Sequence, residues 1–133
     1  MQRIAICDDE ETEPRYIADL TGNFLGERGL SAEVREFTHP DTLLSACDAT
    51  AFHIYMLDMV MPMLSGLALG QSIRRKSTDA QIIYITTEAG FALDAYTVNL
   101  LHYLLKPVAE QALFAALELA AEKVGFGEET TIM

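Results

Sequence analysis

The run Ile54-Tyr55-Met56-Leu57 stops at a carboxylate, Asp58, and a turn containing Pro62 and then Gly66 follows. A short apolar run closed by turn signals reads as a strand buried on both faces. Such strands belong to parallel sheets, and open parallel sheets bind ligands at the carboxyl ends of their strands. Asp58 therefore stands where chemistry is done. The rest of the chain must supply the neighbouring strands and whatever meets Asp58 at their ends.

Four more segments read as strands. Residues 2–7 run into Asp8-Asp9-Glu10, residues 32–37 alternate around Val34 and Phe37, residues 81–86 end at Thr86, and residues 102–105 end at Lys106-Pro107. Helices are expected between them. The first runs from about Thr12 to Arg28, with Pro14 in its first turn and Gly29 as its stop. The second opens at Thr38-His39-Pro40-Asp41 and runs through Leu43, Leu44 and Cys47. The third spans about Ser65 to Lys76. The fourth puts Phe91, Ala95 and Val98 on one face, and the fifth covers about Ala109 to Val124. Five strands alternating with five helices predict an α/β fold. It is a flavodoxin-like (βα)5 three-layer sandwich with right-handed crossovers and parallel strand order 2-1-3-4-5. In that order the first and third strands are neighbours, so both acidic strand ends flank one crevice. The domain is expected over residues 1–124, with 125–133 as a polar, glycine-containing tail or the start of a linker.

Composition narrows the function classes. Half of the 133 residues are hydrophobic and the formal net charge is −11. A chain this acidic repels phosphate backbones, so contact with DNA is expected only through a separate output domain. No apolar run approaches the ~20 residues needed to span a bilayer, and the amino terminus lacks the apolar core of a signal peptide, so a cytoplasmic location is expected. Cys7 and Cys47 are read as reduced thiols. His39, His53 and His102 share neither a helix face nor a zinc-type spacing and are read as structural or solvated. Met56, Met59, Met61 and Met63 are read as core filling and loop anchoring around Asp58. Gly66 and Gly70 have the spacing of a membrane packing motif, but their segment is too short and too polar for one.

Taken together, the strand ends present Asp8, Asp9, Asp58, Thr86 and Lys106. Any one of them has an ordinary structural explanation, such as helix capping by Asp9 or Thr86. All five at matching strand ends do not. Two like charges ~4 Å apart cost about 4 kcal/mol at an effective dielectric of ~20, so three carboxylates need compensation. Lys106 supplies one positive charge. An all-oxygen ligand set suits Mg²⁺, which supplies two more. A carboxylate nucleophile, a hydroxyl, a lysine and a hard cation together suggest phosphoryl chemistry.

These motifs resemble the response-regulator receiver domain (CheY-like) of bacterial two-component systems over residues 1 to about 124. The resemblance rests on Asp8-Asp9 after the first strand, Asp58 with Pro62 and Gly66, Thr86 after the fourth strand, and Tyr103-x-x-Lys106-Pro107 at the fifth. It implies that Asp58 is the phosphoacceptor. It implies that Asp8, Asp9, Asp58 and the Val60 backbone carbonyl hold Mg²⁺, with Asp9 favoured over Asp8 as a direct ligand. Thr86 and Lys106 would contact the phosphoryl group, Tyr103 would move with Thr86, and Lys106-Pro107 would be cis. It further implies a sensor histidine kinase as partner, a signalling role rather than an enzymatic one, and a homodimer through the fourth helix, fifth strand and fifth helix. The stretch from Phe91 to Pro107 resembles in particular receivers that carry a LytTR-type DNA-binding domain, and so implies transcriptional control.

Two positions depart from the family pattern. Val60 is apolar where many receivers carry a polar side chain, and Thr87 stands where a small residue is favoured; both bear on the lifetime of the phosphoryl group. Rival readings fit less well. A haloacid-dehalogenase-like phosphatase needs an aspartate at the Val60 position, and an FMN-binding flavodoxin needs a hydroxyl-rich loop where Asp8-Asp9-Glu10 stand. A receiver-like interaction module that is never phosphorylated stays open as the alternative.

Overall fold

The computed structural model describes residues 2–10 and 12–125. Five strands, β1 (Gln2–Cys7), β2 (Ala32–Phe37), β3 (Ile54–Leu57), β4 (Gln81–Thr86) and β5 (His102–Leu105), form one sheet. Every pairing is parallel and the order is β2-β1-β3-β4-β5. This is the expected flavodoxin-like topology. Residues 126–133 of the expected tail lie outside the described residues.

Both faces of the sheet are covered, which is why its strands read as unbroken apolar runs. Alternate residues split between the faces. Ala5, Cys7, Tyr55, Leu57, Ile82 and Tyr84 pack under α2 (Pro40–Ala49) and α3 (Gly66–Lys76). Ile4, Ile6, Ile54, Met56, Ile83 and Ile85 pack under α1 (Thr12–Arg28) and α4 (Glu110–Val124) through Ile17, Phe24, Leu113 and Leu117. Met56, Met59 and Met61 are core residues as expected, but Met63 is 70% exposed.

The expected fourth helix is not an α-helix. Two 3₁₀ turns, Ala89–Phe91 and Asp94–Val98, stand in its place, so the expected fifth helix is α4. Ala95 and Val98 face the core as the spacing predicted, whereas Phe91 is 39% exposed. The segment closes with i to i−3 bonds, Ala92 N–H to Ala89, Tyr96 N–H to Leu93 and Asn99 N–H to Tyr96. The Thr97 hydroxyl also donates to the Asp94 carbonyl, a local bond that competes with helix. Asn99 then takes a left-handed conformation at φ 56° and ends the segment. Arg74 on α3 holds this exit. Its guanidinium donates to the carbonyls of Val98 at 2.6 Å, Asn99 at 3.0 Å and Ala80 at 2.5 Å.

Candidate functional site at the carboxyl edge of the sheet

Backbone hydrogen bonds carry the sheet's register into the loops that bear the site. Asp8 N–H donates to Phe37, Asp58 N–H to Cys7 at 3.0 Å, and Lys106 N–H to Thr86 at 2.8 Å. Asp8, Asp58 and Lys106 are thereby fixed as direct continuations of β1, β3 and β5. The loop after Asp58 is pulled back by the Gly66 N–H, which donates to the Met59 carbonyl at 2.7 Å. A Cβ on Gly66 would overlap the Asp58 carbonyl, so a side chain there would push α3 away from the site.

Asp8, Asp9 and Asp58 each offer a carboxylate oxygen, and the three lie within 4.8 Å of one another. Asp8 and Asp58 are buried and Asp9 is exposed. The Lys106 ammonium lies 2.5 Å from Asp8 Oδ2 and 3.6 Å from Asp58 Oδ2. Burial pushes the Asp8 carboxyl above the usual range, and the Lys106 hydrogen bond only partly opposes it. Burial depresses the Lys106 ammonium, yet its bond to Asp8 and the charges of Asp8, Asp58 and Glu13 outweigh that and hold it above its ordinary value. The neighbouring Cys7 thiol is pushed up to about 12, by burial first and by Asp8 and Asp58 next. It stays protonated at neutral pH and is no rival nucleophile.

Thr86 is fully buried at the end of β4, and its hydroxyl oxygen accepts from the Glu88 N–H at 3.3 Å. Tyr103 on β5 donates its phenol to the Glu88 carbonyl. The two residues therefore meet at one backbone unit, Glu88, rather than at the carboxylates. The side chain of Val60 is 49% exposed and its N–H donates to Asp58 Oδ1 at 3.4 Å. The Lys106-Pro107 peptide is cis.

The donor set fits a hard divalent cation. All three candidate ligands are carboxylates, two are buried, and one shared ammonium leaves their combined charge uncompensated. Sequence reasoning missed Glu13, whose carboxylate lies 3.6 Å from the Lys106 ammonium. Its position in the first turn of the helix that follows Asp8-Asp9 was the available signal.

A parallel α/β sheet with an acidic crevice and a lysine at its carboxyl edge defines a class of signalling domain. The model of the response regulator receiver domain family matches residues 4–118, and the chain belongs to that family. It is 30% identical over 118 residues to a positive alginate biosynthesis regulatory protein of Pseudomonas aeruginosa, covering 89% of this chain and 46% of the relative. It is 27% identical over 112 residues to the transcriptional regulatory protein LytR of Staphylococcus aureus, covering 84% and 44%. Among solved structures it is similar to the response regulator TrrA of Thermotoga maritima in complex with Mg²⁺ and BeF. The TM-score there is 0.73, at 27% identity, over 90% of this chain and 99% of that one. The chain spans about half the length of the curated relatives it matches. No helix among the described residues is long and apolar enough to cross a membrane.

Proposed function

We propose that this domain accepts a phosphoryl group on Asp58 from the phosphohistidine of a partner sensor kinase in the cytoplasm, and that the event controls transcription through an output domain. The observation that carries this reading is the Lys106 ammonium held between Asp8 and Asp58, three residues brought together from three strand ends. The transcriptional part leans on the regulators to which the chain is similar.

In the proposed reaction an Asp58 carboxylate oxygen attacks phosphorus in line. The P–N bond breaks as the O–P bond forms, and the imidazole keeps the electron pair and takes up a proton. Asp8, Asp9, Asp58 and the Val60 carbonyl would hold Mg²⁺, which neutralises phosphoryl oxygens when bound. Lys106 neutralises another oxygen, and the Thr86 hydroxyl donates to one. The Thr86 hydroxyl keeps its lone pair on the Glu88 N–H while its O–H donates, so drawing Thr86 inward draws Glu88 with it, and Glu88 is also what Tyr103 holds. The loop after β4 and the ring of Tyr103 therefore move together, a two-state shift set off by a local charge. Phe91, Leu93, Tyr96 and Leu105 lie exposed on the 3₁₀ segment and β5. With α4 they form the face assigned to a second copy of the chain.

The test is intact mass after incubation with acetyl phosphate, with Mg²⁺ or chelator, on the wild type and Asp58→Asn. One added phosphoryl group that needs Mg²⁺ and disappears in the variant is expected. No addition under any condition would sink this reading and favour an interaction module that works without phosphorylation.

A further inference from the structure

Glu13 sits in the first turn of α1, where a carboxylate ordinarily complements the positive helix end. Here it does something else as well. Its Oε1 lies 3.6 Å from the Lys106 ammonium, the same distance that separates Lys106 from Asp58 Oδ2. Lysine has three N–H donors. Asp8 takes one at 2.5 Å, and Glu13 and Asp58 stand as equals for what remains. The Lys106 side chain is only 10% exposed, so its ammonium is confined among these three carboxylates.

We infer that Glu13 is a positioning residue that competes with the phosphoryl group on Asp58 for Lys106, and so sets how much of the domain is phosphorylated. The inference rests on the phosphoryl reading above. When Asp58 carries the group, the new oxygens attract the ammonium more strongly than a carboxylate does. Moving toward them takes Lys106 from Glu13. The Glu13 contact is thus complete only in the unphosphorylated state, and an interaction that differs between two states biases their equilibrium. Its removal favours the phosphorylated state.

The experiment measures the ratio of phosphorylated to unphosphorylated chain at steady state with acetyl phosphate and Mg²⁺, and the rate of phosphoryl loss after the donor is removed. Four chains are compared: wild type, Glu13→Gln, Glu13→Asp and Glu110→Gln. Glu13→Asp keeps the charge and the helix-end position but shortens the reach by one methylene. Glu110 is an exposed first-turn acid of α4 with no ion pair to Lys106, so its variant tests net charge and helix-end effects alone.

Both Glu13 variants are expected to raise the ratio about two- to fivefold, the range that a partly exposed ion pair supports, and to slow phosphoryl loss. Glu110→Gln is expected to match the wild type. A purely structural Glu13 would shift melting temperature without shifting the ratio. Glu13→Gln equal to the wild type overturns the inference, as does an equal rise in Glu110→Gln or a wild-type ratio in Glu13→Asp. A wild type that takes no phosphoryl group overturns the reading of the site and this inference with it, whereas a phosphorylated wild type matched by Glu13→Gln overturns the inference alone.

Discussion

The buried phenol of Tyr84, on β4, donates to the carbonyl of Gly66, the first residue of α3, at 2.8 Å. The bond ties the end of the Asp58 loop to β4. Gly70, one turn on, makes the room: a Cβ there would overlap the Tyr84 hydroxyl and stand 2.9 Å from Val98 Cγ1. Gly70 thus serves close packing of the helix on a tyrosine, and Gly66 its close packing on the Asp58 loop.

Gly70→Ala is therefore expected to destabilise the fold by about 1–3 kcal/mol through overpacking. Gly22→Ala, in the interior of α1 with nothing within 4 Å of the added methyl, is expected to stabilise it by about 0.5–1 kcal/mol. Urea midpoints of the two variants should move in opposite directions; equal shifts would contradict the packing account.

Divalent cation should stabilise the folded chain by mass action. At tenfold excess over its dissociation constant, Mg²⁺ is expected to add about 1.4 kcal/mol, seen as a higher melting temperature that chelator reverses. The gain should be lost in Asp9→Asn. A gain retained in that variant would move the cation away from these carboxylates.

Arg74 makes its short hydrogen bonds to three carbonyls of two segments, so Arg74→Met keeps the apolar stem and deletes the donors. Charged hydrogen bonds contribute about 1.5–3 kcal/mol each and do not sum, and a total loss of about 3 kcal/mol is expected. Amide exchange over residues 94–99 should quicken more than exchange over β1. Uniform quickening would deny Arg74 its local role.

His53 accepts from the Arg3 N–H through Nδ1 at 2.9 Å, so its neutral form is the one that fits. Burial, and next the Arg3 charge, hold its imidazole below the ordinary value. A depressed folded value means that the unfolded chain binds the proton more readily. The contribution of His53 is therefore intact above pH ~6.5 and is lost as pH falls below that toward the folded value. The stability difference between wild type and His53→Gln should shrink on acidification from pH 7.5 to 5.5; a constant difference would rule this out.

The site was legible in the sequence because each of its strands stops at a polar residue. Asp8, Asp58 and Lys106 needed only the strand order to meet, whereas Thr86 ends its strand at Glu88 instead. The 3₁₀ segment was not legible, because spacing places Ala95 and Val98 on the core equally well in either helix type. What decides it are the Thr97 back-bond and the grip of Arg74, and both are tertiary or side-chain facts. Glu13 escaped for a similar reason. Its position reads as an ordinary helix start, and its partner lies on the last strand. Met63 was misplaced because methionine carries no sign of which way a loop turns.

The hydrogen bond from Lys106 to Asp8 joins residues 98 positions apart. The crevice therefore cannot form on a chain that lacks β5. A nascent or truncated molecule ending before β5 has acids but no ammonium among them, and a frayed β5 withdraws it again. Whatever addresses this crevice thus finds a completed address only on molecules in which β5 has docked, so the site reports that its last strand is in place.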